Sequence, residues 1–156
     1  MQYDVIIIGA GPGGIFSAYE LSKLCPEKRI AVFEEGQPLE KRRCPIDGKT
    51  VKHCVGCPTC AIMNGFGGAG AFSDGKYNLT NDFGGTLYEY IGKKQAMELM
   101  HYVDDINVAC GGAGTKLYST ADSGFKRLCL QNNLHLLDAS VRHLGCLLYT
   151  SPSPRD

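Results

Sequence analysis

Cysteine residues that could bind a metal or exchange electrons are concentrated in one short stretch of the chain. In the sequence HCVGCPTC, two residues separate Cys54 from Cys57 and two separate Cys57 from Cys60, and Cys44 lies upstream as a fourth thiol. Four thiolates are the number that tetrahedral zinc or a [4Fe–4S] cluster requires. Cys44 would have to close such a site across a gap of nine residues. An iron–sulfur or zinc site, a redox-active thiol pair and purely structural thiols therefore remain open alternatives.

A glycine motif near the N-terminus predicts a dinucleotide site. GAGPGG at residues 9–14 satisfies G-x-G-x-x-G, and Glu34 follows 20 residues after the last glycine. In this motif Gly9 permits a tight turn, Gly11 lets a pyrophosphate approach the backbone, and Gly14 allows close helix–strand packing. Glu34 can accept hydrogen bonds from ribose hydroxyls and would repel the 2′-phosphate of NADP. The predicted dinucleotide-binding residues of this motif are Gly9, Gly11, Pro12, Gly13, Gly14 and Glu34.

Short apolar runs on both sides of this motif predict the elements that position it. We expect a buried strand over residues 3–8, a helix over 13–24 and a second strand over 29–33. Residues 3–36 then form one βαβ unit, whose helix N-terminus faces the phosphates of a ligand. The expected fold class is α/β, a Rossmann-like FAD/NAD(P)-binding domain with a parallel sheet.

The remainder of the chain is less periodic. Residues 37–82 are rich in proline, cysteine and glycine, and we interpret them as a cofactor loop because long irregular segments in compact domains are usually functional. The TLYE sequence at residues 86–89 is a capping-box pattern that opens a helix. We interpret residues 86–133 as the helical start of an inserted or substrate region. The further predicted elements are a helix over 93–106, a helix over 121–131 and a strand over 134–137.

The chain resembles two groups of flavoproteins. DVIIIGAGPGGIFSAYEL and RIAVFEEG, which includes Glu34 and Glu35, are similar to the FAD-binding start of flavoproteins of the glutathione-reductase type. GFGGAGAFSDGK at residues 65–76, the preceding cysteines and RHLG at 142–145 resemble a family of bacterial FAD-dependent dehydrogenases. That likeness covers residues 1–145.

The resemblance implies an FAD-dependent oxidoreductase with FAD as cofactor and NAD(P)H as an electron partner. It implies a small-molecule substrate, contacted by residues beyond Gly145, so no catalytic residue is named. The residues that the resemblance adds to the cofactor site are Glu35, Gly67, Gly68, Gly70 and Ser73, with Asp74 as a further hydrogen-bond partner and Arg42 and Arg43 near the cofactor phosphates. Two other hypotheses remain open: an NAD-linked dehydrogenase, and an iron–sulfur or zinc-binding electron-transfer module centred on Cys54, Cys57 and Cys60.

Composition argues against several classes of partner. Sixteen basic and sixteen acidic residues among 156 cancel, so the net charge gives no reason to expect binding to nucleic acid or to an anionic membrane. The first residues lack the basic start of a secretory signal, and no apolar run approaches the length of a membrane span. Eight cysteines in such a chain are expected as thiols, ligands or redox groups. We therefore expect a cytoplasmic protein.

The last eleven residues differ in character from the rest. CLLYTSPSPRD at residues 146–156 resembles the in-frame translation of a sequencing adapter. We therefore expect 146–156 to be a non-native tail, and 1–145 to be the N-terminal part of a truncated FAD-binding domain. Such a part, expressed alone, should bind FAD weakly.

Overall fold

The computed structural model of this chain describes residues 2–121 and 123–145, which divide into two compact units. Residues 2–73 form the first unit, which contains a pair of parallel strands. Residues 74–145 form the second, which contains an antiparallel sheet. The protein is thus mixed α/β. The predicted non-native tail, 146–156, lies outside the described residues.

The first unit is built on the βαβ element that the sequence predicts. β1 (Val5–Ile8) and β2 (Ile30–Phe33) pair in parallel, with Val5 opposite Ile30 and Ile8 opposite Phe33. α1 (Pro12–Leu24) connects them and begins with proline, whose fixed φ suits a first helical turn. β-branched side chains favour the strands, and Pro26 prevents the helix from continuing. The βαβ prediction is confirmed, with bounds one or two residues shorter for the strands.

The rest of the first unit is irregular apart from two short 3₁₀ turns, Leu39–Lys41 and Gly68–Phe72. Residues 37–73 are thus largely irregular, as expected from their lack of sequence periodicity within the predicted loop 37–82. The last part of that range behaves differently, because Lys76–Leu79 forms β3 in the second unit.

The second unit consists of three antiparallel strands and short helices. β5 (Ser140–His143) is the central strand, with β3 on one side and β4 (Leu117–Ser119) on the other. The helices of this unit are α2 (Leu87–Ile91), α3 (Lys93–Asn107), which continues into a π-helical turn at Val108–Gly112, and α4 (Phe125–Gln131).

Three expectations for the second unit need correction. The strand predicted over residues 134–137 is wrong, because β5 forms three residues past its end. α4 begins at Phe125, four residues after the predicted start. Thr86 precedes α2 as predicted, but its side chain makes no capping hydrogen bond.

A buried ion pair joins α3 to β5. Two of the three guanidinium nitrogens of Arg142 donate to the Asp104 carboxylate, Nε to Oδ1 at 2.7 Å and Nη2 to Oδ2 at 2.8 Å. The two side chains are 13% and 6% exposed. Arg142 also donates to the carbonyl oxygen of Thr115, so this one guanidinium ties α3, β5 and the residues before β4 together.

The helices formed by residues 2–121 and 123–145 include none that combines the length and the apolar character needed to cross a membrane.

Candidate functional site

The turn between β1 and α1 is formed by residues 9–14, which we call the fingerprint. Gly9 adopts a φ of +96°, a conformation that favours glycine, and its N–H donates to the carbonyl oxygen of Phe33 at 2.6 Å. Gly11 is the residue before α1 and has a φ of −75°. The helix start has no side-chain cap and no acidic residue in its first turn. As at any helix start, its first N–H groups lack intrahelical partners, and no acidic side chain of the first turn neutralises the positive end of the helix dipole.

The glycines of the fingerprint are required for different physical reasons. A Cβ at Gly14 would lie 1.9 Å from the carbonyl oxygen of Gly9, so helix and strand can approach this closely only with glycine there. At Gly11 and Gly13 a Cβ would meet no atom within 4 Å, and neither residue has a positive φ. Neither the backbone conformation nor protein packing explains the glycines at these two positions.

Glu34 follows β2, and its carboxylate accepts three hydrogen bonds from backbone N–H groups. The N–H of Ala10 donates to Oε2 at 2.7 Å, while those of Gly36 and Gly65 donate to Oε1 at 2.9 Å each. These hydrogen bonds, of which the one from Ala10 contributes most, hold the pKa of the Glu34 carboxyl below its usual value, and the charge of Arg42 lowers that pKa further. Glu34 therefore links the fingerprint to a second glycine segment and is ionised at neutral pH.

This second glycine segment, residues 65–70, lies against the fingerprint. The N–H of Gly67 donates to the carbonyl oxygen of Ala10 at 2.8 Å. A Cβ at Gly68 would lie 3.3 Å from the Cα of Gly11, and one at Gly70 would lie 3.9 Å from the Pro12 ring. The structure therefore brings together the glycines predicted from the motif and those predicted from the resemblance.

Arg42 is buried inside the first unit and holds the second glycine segment from the other side. It is 4% exposed. Its donors point to the carbonyl oxygens of Ala61, Ile62, Phe66 and Gly68 at distances of 2.9, 2.6, 2.8 and 2.9 Å. The sequence gives no local signal for this role, because these partners lie 19 to 26 residues further along the chain.

Other predicted cofactor residues do not join this cluster. Glu35 and Arg43 are exposed. Ser73 is also exposed, and its N–H donates to the carbonyl oxygen of Gly70, which ends the 3₁₀ turn. Asp74 belongs to the second unit.

The predicted metal ligands differ in exposure. Cys54 and Cys57 are exposed, whereas Cys44 and Cys60 are half-buried. Over residues 2–121 and 123–145, no group of three or more His, Cys, Asp or Glu side chains is placed to hold a metal ion. The pKa of the Cys60 thiol is lowered, most strongly by a hydrogen bond from the N–H of Met63.

The second unit contains a pocket of about 310 Å³. Its lining combines polar groups of β3, among them Asn78, with the apolar side chains of Phe83, Leu87 and Met100. The sequence predicted none of the lining residues as part of a site.

Comparison with known proteins adds no relative to these observations: no family model, no curated protein and no solved structure matches the chain.

Proposed function

We propose that residues 2–73 are part of a Rossmann-like FAD-binding domain, and that the protein is an FAD-dependent oxidoreductase of the dehydrogenase type. The observation that carries this proposal is Gly11. A side chain at Gly11 would enter open space from an ordinary backbone conformation, directly before a helix whose first N–H groups have no cap. Close approach of a ligand's pyrophosphate to the backbone explains why that space is kept free.

The residues around this space fit a dinucleotide. The N–H groups of the first turn of α1 would hold the pyrophosphate, and the glycines of the second glycine segment would let the ligand approach a second stretch of backbone. A carboxylate has about four acceptor positions, so the three N–H groups on Glu34 leave one for a ribose hydroxyl. Its negative charge disfavours a ligand with a 2′-phosphate, such as NADP.

The Rossmann-like assignment has separate support from the strand pair. Ile7 packs towards Gly14 and α1, so its neighbours Ile6 and Ile8 lie on the opposite face, together with Phe33. These three side chains are exposed. Parallel sheets are usually covered on both faces, as in doubly wound folds, and an apolar uncovered face is the pattern expected of a sheet built for that architecture.

When bound, FAD supplies a hydride acceptor at flavin N5. The chain's own share of the reaction, in this proposal, is to bind and orient the adenosine diphosphate part of the cofactor. The cytoplasm remains the compartment expected from the sequence. The NAD-linked alternative uses the same fingerprint and is separated from the FAD hypothesis by the experiment below.

The test is an NMR titration of the full chain with FAD, ADP and NAD, a method suited to weak binding. FAD and ADP should shift the amide resonances of the fingerprint and of Gly67 and Gly68. In Gly11→Val the side chain would occupy the pyrophosphate position, so affinity for both ligands should fall about tenfold to a hundredfold through lost charge-assisted hydrogen bonds. A preference for NAD over FAD would support the alternative, and no response to any of the three would refute the dinucleotide site.

Gly124→Val is the matched control for this substitution. Gly124 also directly precedes a helix, has a negative φ of −57°, and would present a Cβ that meets no atom within 4 Å. Its replacement should leave the affinity for FAD unchanged. If both variants lose binding equally, the effect is on folding, and the pyrophosphate assignment fails.

A further inference from the structure

Arg42 is a buried cation that forms no ion pair among the described residues. Burial of a charge is costly unless polar groups compensate it. Here four backbone carbonyl oxygens receive four of the five N–H groups of the guanidinium, and the negative charge of Glu34 also attracts it. The Phe72 ring lies 4.6 Å from the guanidinium carbon and covers it further.

The carbonyl groups that Arg42 binds lie on both sides of Gly65. Ala61 and Ile62 precede it, and Phe66 and Gly68 follow it. A Cβ at Gly65 would lie 2.6 Å from Cδ of Arg42, so the chain at this point closes directly around the arginine side chain. Arg42 therefore determines the path of the second glycine segment.

Two N–H groups of the second glycine segment donate hydrogen bonds to groups other than Arg42. Those of Gly65 and Gly67 bind Glu34 and the carbonyl oxygen of Ala10, which belongs to the fingerprint. Two carbonyl groups of the segment, those of Phe66 and Gly68, thus bind Arg42, while the N–H groups of Gly65 and Gly67 bind Glu34 and Ala10.

We propose that Arg42 is a positioning residue of the candidate dinucleotide site: it acts on the ligand through the second glycine segment, without contacting the ligand. The inference rests on the proposed function for the identity of the ligand. A planar guanidinium is needed because it donates in several directions at once, to carbonyl groups on both sides of Gly65. A lysine keeps the charge but presents its donors from a single atom.

The experiment compares the full-length wild type with Arg42→Lys and with Lys41→Gln. Lys41 is the exposed neighbour of Arg42, so its substitution removes one positive charge at nearly the same place without touching the second glycine segment. Amide hydrogen exchange at Gly65 and Gly67 is measured by NMR without ligand, and the affinities for FAD and ADP are measured by titration of the folded fraction.

In Arg42→Lys, exchange at Gly65 and Gly67 should accelerate by about tenfold or more, because hydrogen bonds to a charged group that order the segment are lost. Affinity for FAD and ADP should fall by a similar factor, while the α1 resonances keep their wild-type shifts. Lys41→Gln should match the wild type in both measurements. Arg42→Ala supplemented with ethylguanidinium should regain protection and affinity, whereas ethylammonium at equal ionic strength should restore neither.

The outcomes separate the two proposals. Wild-type binding that persists unchanged in Arg42→Lys overturns the positioning role and leaves the dinucleotide site intact. Unaltered exchange at Gly65 and Gly67 overturns it as well. If the wild type binds neither FAD nor ADP, the proposed function fails, and with it the role of Arg42 in dinucleotide binding. Equal losses in Lys41→Gln would show that any substitution at residues 41–42 disturbs the segment, and would overturn the specific role of the Arg42 guanidinium.

Discussion

Replacement of Gly14 by alanine should destabilise the first unit, although alanine is the better helix former. The new Cβ would lie 1.9 Å from the carbonyl oxygen of Gly9 and 3.0 Å from its carbonyl carbon. Ordinary contact begins near 3.4 Å, so α1 and the turn must separate by about 1.5 Å. Gly9 cannot yield freely, because its N–H is bonded to the carbonyl oxygen of Phe33 in β2.

The expected loss follows from two opposing effects. Overpacking of a close contact costs about 1–3 kcal/mol, and here the obstructing atoms are backbone, which adjusts less readily than a flexible side chain. The gain in helix propensity from glycine to alanine is at most about 1 kcal/mol. Because the obstructing atoms are backbone, the packing cost should lie at the upper end of its range, about 2–3 kcal/mol, and the net destabilisation should be about 1–2 kcal/mol.

Urea unfolding followed by far-UV circular dichroism measures this difference. With a slope of about 2 kcal/mol per molar urea, the midpoint of Gly14→Ala should fall by roughly 0.5–1 M. Gly13→Ala is the control, because it adds the same methyl group in the same helical turn, where it meets no atom within 4 Å. Its midpoint should stay equal or rise. A Gly14→Ala midpoint at or above that of the wild type would refute the packing explanation.

Three further predictions concern charged and nucleophilic groups. Asp104→Asn leaves the Arg142 cation buried without its partner and should cost about 3 kcal/mol in urea unfolding, whereas the loss of an exposed ion pair costs less than about 1 kcal/mol. The lowered pKa of the Glu34 carboxyl contributes stability that is complete above the unfolded pKa of about 4.3 and declines as the pH falls through the lower folded pKa. The difference in unfolding free energy between the wild type and Glu34→Gln should therefore disappear in acid. A difference that does not change with pH would contradict this. The pKa of the Cys60 thiol is lowered mainly by backbone N–H groups and in smaller part by the charge of Arg42, so alkylation by iodoacetamide should reach half its maximal rate at a lower pH in the folded chain than in the urea-unfolded chain. Arg42→Gln should shift the folded midpoint upward, and equal midpoints in the folded and unfolded wild type would contradict the lowered pKa.

The sequence pattern was sufficient to predict the helices and the βαβ unit, whose hydrogen bonds join residues close to one another in the chain. α1 and α3 follow the apolar periodicity of their own residues, and the βαβ connection is short enough for its strands to be found from adjacent runs. The strand predicted over 134–137 failed because strand pairing, which depends on residues far apart in sequence, decides the register in an antiparallel sheet. β5 pairs with β3 and β4, and it includes Arg142, whose charge is neutralised by an aspartate on another element.

The candidate site divides in the same way. The fingerprint could be predicted because the turn, the helix and the acidic residue after β2 lie at fixed spacing in one short unit. The three hydrogen bonds that Glu34 accepts could not be predicted from the sequence, because one of the donors is the N–H group of Gly65, 31 residues away. The resemblance implies a position near the cofactor phosphates for Arg42, and only the folded path of residues 61–68 shows that four carbonyl oxygens surround its guanidinium.

The positions of Gly11 and Gly14 make it possible to separate folding from function within a single turn. Packing within the protein explains why residue 14 is glycine, because any side chain there would collide with the backbone of Gly9. Gly11 is three residues away and is explained by nothing in the described chain. A folding defect must therefore follow from substitution at Gly14 and a binding defect from substitution at Gly11. If valine at Gly11 lowered stability as much as alanine at Gly14, folding alone would explain the glycine at position 11, and the strongest support for the dinucleotide hypothesis would be lost.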